Sequence, residues 1–179
     1  MTAVVVSVVA GCGGGGDEGA APSTSAAGQV STSRANAPTT TTLPPIEGVE
    51  TFLVDAGHRE GPLTYPQVPP VGGIHNPVWT PCGFYDRAVA NEMAVHSLEH
   101  GAIWVTYRPD LPQEQIDLLA TLARGRNDVL VSRWDEGLPS PLVATAWGRQ
   151  LKLTTATDPR LTEFVRRYAN QGPEINAPC

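Results

Sequence analysis

Six prolines fall between Gly57 and Gly83: Pro62, Pro66, Pro69, Pro70, Pro77 and Pro81. Proline has no backbone donor, and it keeps the residue before it out of the helical region. The segment cannot be a helix and makes a poor central strand. It must run as a long ordered loop, held by a scaffold built from the rest of the chain. Loops of this length inside compact domains are usually functional.

The scaffold is sought after the loop. Thr51 to Val54 is a candidate first strand ahead of it. Arg87 to His100 has helical character: Ala88, Met93 and Leu98 lean to one side, and Gly101 is a natural stop. Ala102 to Tyr107 is a strong strand, ended by Pro109 and Pro112. Gln113 to Arg124 repeats Ile116, Leu119, Ala120 and Ala123 at helical spacing. Strands are predicted at Asp128–Trp134, Leu142–Trp147 and Gln150–Leu153, with Gly148 at the turn. A last helix runs from Pro159 to Asn170, capped by Asp158, with Leu161, Phe164, Val165 and Tyr168 inward. This order predicts an α+β fold: a small, mainly antiparallel sheet, two or three helices on one face, and the Pro/Gly-rich loop lying over it.

The first 46 residues have a different character. Met1 to Cys12 is an apolar run ending in small residues, the form of a signal peptide. Val9-Ala10-Gly11-Cys12 resembles the bacterial lipobox, in which the cysteine sulfur takes a diacylglyceryl group. No Lys or Arg precedes the run, so the expected start lies upstream. The run is far shorter than the roughly 20 residues of a spanning helix. Residues 13–46 are mostly Gly, Ala, Ser, Thr and Pro and bury too little to offset their ordering entropy, so they read as a disordered tether. The expected organisation is therefore signal and lipobox (1–12), tether (13–46) and one domain (47–179). The expected location is extracytoplasmic, on the membrane through lipid at Cys12.

The formal net charge is −6, and Lys and Arg are not clustered anywhere. A nucleic-acid partner is thereby excluded. Nothing points to a particular protein partner. Cys82 and Cys179 remain once Cys12 is set aside for lipid. In an exported protein an even pair reads as a disulfide, which would pin the C-terminus to the loop. Cys82 as a metal ligand, or two free thiols, are the competing readings.

All four histidines lie between His58 and His100. Neutral imidazole is the commonest metal ligand. His96 and His100 are four apart on a helix and share a face. His75 and His58, on the loop, are further candidate ligands. Glu92 and Met93 stand on or near the same face. The metal would be zinc or copper, Met93 tilting toward copper. A hydrogen-bonded histidine cluster holding the loop is the structural alternative. His96-Ser97-Leu98-Glu99-His100 also matches H-x-x-E-H, in which two histidines bind zinc and the glutamate is general base. That makes a zinc hydrolase with Glu99 as base a further alternative. Against it, Gly101 ends the helix at once. No G-x-S-x-G, P-loop or C-x-x-C is present. The reading leans away from an enzyme.

Several strings together resemble a known family. They are Pro69-Pro70-Val71-Gly72-Gly73-Ile74-His75, Cys82-Gly83-Phe84-Tyr85, Val95-His96-Ser97-Leu98-Glu99-His100-Gly101-Ala102, Tyr107-Arg108-Pro109, Thr145-Ala146-Trp147-Gly148 and Ala177-Pro178-Cys179. Over about residues 48–179 the chain resembles the domain of unknown function 3105 (DUF3105). The resemblance implies an exported or membrane-anchored bacterial protein and supplies no reaction. His75, His96, Glu99 and His100 fall in its most specific strings.

Overall fold

A computed structural model describes residues 43–174, 177 and 179. The expected signal segment, Cys12 and nearly all of the tether lie outside the described residues. Among the described residues no helix is long and apolar enough to cross a membrane.

The elements run β1 (Val49–Thr51), β2 (Gly57–His58), β3 (Ile74–His75), β4 (Gly83–Tyr85), α1 (Asn91–Glu99), β5 (Ile103–Tyr107), α2 (Gln113–Ala123), β6 (Val129–Arg133), β7 (Leu142–Ala146), β8 (Arg149–Leu153) and α3 (Pro159–Tyr168). Six strands form one sheet in the order β1-β8-β7-β5-β6-β4. The pairings β1·β8, β8·β7 and β7·β5 are antiparallel. The pairings β5·β6 and β6·β4 are parallel; α1 connects β4 to β5 and α2 connects β5 to β6, each carrying the chain back to start the next strand in the same direction. The fold is α+β with a small sheet, as expected.

Alternation along the strands sorts the core onto two faces. Ile103, Val105 and Tyr107 of β5 and Val129 and Val131 of β6 meet Leu119 and Ala123 of α2 and Leu161, Phe164 and Val165 of α3. Ile46 already packs into this core. Trp104 and Leu130 turn the other way and meet Ala94 and Leu98 of α1. The helices therefore do not share one face as the sequence suggested. Helix α1 lies opposite α2 and α3, and the Pro-rich loop packs on its side of the sheet.

That arrangement explains a buried helix with so little apolar character. From Ala94 to Glu99 every residue of α1 is buried, including His96, Ser97 and Glu99. Nine residues make a marginal helix in isolation. Here the sheet covers one side and the loop the other. The loop is stitched down by polar groups. Ser97 Oγ donates to the Thr80 carbonyl at 2.6 Å and accepts the Thr80 N–H at 3.1 Å. The Asn76 N–H donates to the Glu92 carbonyl at 3.2 Å. Gln150 Nε2 donates to the Pro69 carbonyl at 3.0 Å, and the Gly148 N–H to the Val71 carbonyl at 2.7 Å. Cys82 and Cys179 form a disulfide, with Cα atoms 5.1 Å apart.

Candidate metal centre

The loop and α1 converge on one point. The two residues of β2 and the two of β3 pair in parallel and set His58 opposite His75. Helix α1 presents His96 and Glu99 toward the same point. The ring centroids of His58, His75 and His96 lie 4.7–4.9 Å apart, pair by pair. One ligand atom from each of His58, His75, His96 and Glu99 falls within 4.8 Å of the others.

Backbone carbonyls fix two of the rings. His75 Nδ1 is 2.7 Å from the Gly73 carbonyl, and His96 Nδ1 is 2.7 Å from the Asn76 carbonyl. A carbonyl only accepts, so each Nδ1 carries the hydrogen and each Nε2 keeps its lone pair when the ring is neutral. Metal-bound histidines are typically oriented by this kind of outer bond. Tyr65 supports the loop here, its hydroxyl donating to the Ile74 carbonyl at 2.8 Å. Burial, with the Glu92 charge, pushes the Tyr65 phenol up to about 12. Burial also holds the His96 imidazole below its ordinary range, with the charges of the neighbouring histidines adding to the effect and the Asn76 bond opposing it. His96 is therefore neutral at pH 7, the form that ligates.

Glu99 closes the group. Its carboxylate is buried, and Oε2 lies 2.9 Å from His75 Nε2 and 3.4 Å from His58 Nε2. A buried carboxylate demands a partner. A lone pair on His75 Nε2 would face a carboxylate oxygen directly, which is repulsive unless a cation lies between them. A proton can serve one such contact. A metal ion serves His58, His75, His96 and Glu99 together. Two ligands on a tetrahedral ion at about 2.0–2.1 Å stand about 3.3 Å apart, close to these separations.

His100 stands beside His96 at a ring-centroid distance of 4.5 Å, in a second group with Glu174. Glu92 belongs to neither group; its Oε1 accepts the Leu63 N–H at 2.8 Å. Met93 lines a surface recess with Gly61, Pro62 and Glu92. The sequence reading offered Glu99 as the base of the alternative hydrolase; in the structure its carboxylate falls in the group with His58, His75 and His96 that could hold a metal ion. That reading missed Glu174 altogether, in a polar tail with no periodicity. It also missed Trp79, whose ring flanks His96 and His100 at 5.8 and 5.2 Å.

Fold and site together define an α+β domain in which a loop and a buried helix close a histidine–carboxylate group able to hold a metal ion. The model of a family described as a protein of unknown function, DUF3105, matches residues 58–179. The chain belongs to this family, and the match opens on His58 and ends on Cys179. No curated protein and no solved structure matches the chain.

Proposed function

We propose that this is an extracytoplasmic lipoprotein whose domain binds a divalent transition metal, zinc or copper, through His58, His75, His96 and Glu99. One observation carries the metal reading. Three imidazoles and a buried carboxylate converge within 4.8 Å, and in two of the rings the backbone has taken the nitrogen that faces away. Nitrogen and oxygen ligands suit zinc and Cu(II) alike.

The reading is of binding, not catalysis. A general base must face the metal-bound water. Glu99 instead contacts two of the ligand histidines, so it is better suited to hold the ion. His58 is half-exposed, and the ion would enter on its side.

The lipobox-like Val9-Ala10-Gly11-Cys12, the polar tract after it and the Cys82–Cys179 disulfide support the exported, lipid-anchored location. The membrane is the partner proposed, through lipid alone.

Metal analysis of the purified full chain after exposure to Zn²⁺ and Cu²⁺ tests the binding. Wild type retains one ion per chain, His96→Ala loses it, and His75→Ala holds it much more weakly. A wild-type chain that holds neither metal overturns the reading. For the anchor, Cys12→Ser moves the protein out of the membrane fraction; retention there overturns that part.

A further inference from the structure

Past the end of α1 lies the second ligand group. His100 Nε2 is 3.5 Å from Glu174 Oε2. One ligand atom from each of His96, His100 and Glu174 falls within 4.8 Å of the others. The segment that brings Glu174 is closely fitted. The Glu174 N–H donates to the Glu99 carbonyl at 3.0 Å, and the Asn170 N–H to the Gly101 carbonyl at 2.8 Å. Gly172 packs so tightly that any Cβ there would collide with the Glu99 carbonyl. Beyond Glu174 the chain is tied down at Cys179 by its bond to Cys82.

His96 is common to both groups. Its Nδ1–H is committed to the Asn76 carbonyl, so one lone pair, on Nε2, is left for metal. One lone pair serves one ion. Both groups cannot hold an ion through His96 at once. The two groups also differ in depth: the His75 side chain is fully buried, whereas the Glu174 side chain is 51% exposed.

We propose that His96, His100 and Glu174 form a second, outer metal position, occupied in alternation with the inner one. A divalent ion of the zinc or copper type stays on His96 while His58, His75 and Glu99 are exchanged for His100 and Glu174. The step is a ligand substitution with no change of oxidation state. It makes the domain a carrier that takes up or hands on its ion at Glu174. The inference rests on the metal-binding reading of the inner group.

The test is a Zn²⁺ titration of the full chain against a chromophoric chelator, followed by release into excess chelator. Wild type binds one ion. Glu99→Gln weakens the inner position but keeps measurable binding at the outer one. Adding Glu174→Gln to that variant weakens binding again by at least about tenfold, the lower end of the loss for an outer-shell partner. Glu174→Gln alone, at an exposed side chain, slows release into the chelator. Where Glu99→Gln fails to fold, His58→Ala at a half-exposed side chain takes its place. Equal binding by the single and double variants overturns the outer position and leaves the inner one standing. Two ions per wild-type chain overturn the alternation. Loss of all binding in Glu174→Gln, with none in Glu99→Gln, overturns the inner site instead. A wild-type chain that binds no ion overturns both.

Discussion

His75 has one ring nitrogen committed to the Gly73 carbonyl and the other 2.9 Å from the Glu99 carboxylate. The two residues are 24 apart in sequence and are brought together by the Pro-rich loop folding onto α1. In Glu99→Gln an amide N–H can donate to His75 Nε2, so the contact survives without its negative charge. The fold is expected to persist while Zn²⁺ stabilises it less. A ligand present at 100 times its Kd adds about 2.7 kcal/mol to folding stability. Thermal melts with and without Zn²⁺ show this upshift in wild type and a much smaller one in the variant.

Reduction of the Cys82–Cys179 bond opens a loop of 97 residues. On the chain-entropy estimate a loop of that size contributes up to about 4.7 kcal/mol. The double variant Cys82→Ser/Cys179→Ser unfolds at lower urea than wild type, and dithiothreitol lowers the wild-type midpoint to match. A midpoint that ignores reductant would contradict the bond's role.

Trp79 provides a built-in reporter. Its ring centroid lies 5.2 Å from that of His100 and 5.8 Å from that of His96, while Trp147 lies 5.9 Å from His75. Cu²⁺ bound among these histidines quenches indole emission at such range. Cu²⁺ added to wild type lowers tryptophan fluorescence in proportion to occupancy. Trp79→Phe removes the part of the quenching that reports on the outer group and leaves the part from Trp147.

Asp158 caps α3, accepting the Arg160 N–H at 2.9 Å. The Arg160 side chain beside it holds its carboxyl below the usual range. A carboxylate with a lowered folded-state value stabilises above its unfolded value and loses that contribution as pH falls through the folded one. Asp158→Ala therefore costs about 1 kcal/mol at pH 7, the typical worth of such a cap. The gap between variant and wild type is full above about pH 4 and narrows as pH falls through the lowered folded-state value. Urea titrations at pH 7 and pH 3 measure both.

Much of the sheet was legible because its signals are local. The apolar run Ala102–Tyr107 became β5, the spacing in Gln113–Arg124 became α2, and Asp158-Pro159 marked the start of α3 to the residue. Edge and loop elements were not. Strand β4 is three half-buried residues directly after a proline-dense stretch, and only its pairing with β6 makes it a strand. The site divides the same way. The histidine window was visible as composition, but its grouping depends on contacts across the loop. Along the helix the H-x-x-E-H string offers Glu99 as a base and says nothing of its contacts elsewhere. Its partner His75 comes from a separate segment, so no spacing rule could have shown it.

Ser97 couples the fold to the site. It is fully buried on α1, and its hydroxyl both donates to and accepts from Thr80. Asn76, four residues earlier in that loop, supplies the carbonyl that orients His96. Ser97→Ala leaves the Thr80 carbonyl without its hydroxyl donor in a site closed to water, at a cost of about 1–3 kcal/mol. The loop then loses its register on α1, and the loop supplies His58, His75 and the carbonyl at Asn76. Both the folding midpoint and Zn²⁺ affinity are expected to fall together. Ser97→Cys, which keeps a weak donor of similar shape, recovers part of each. A Ser97→Ala chain with lower stability but unchanged affinity would show that the metal group holds its geometry independently of this stitch.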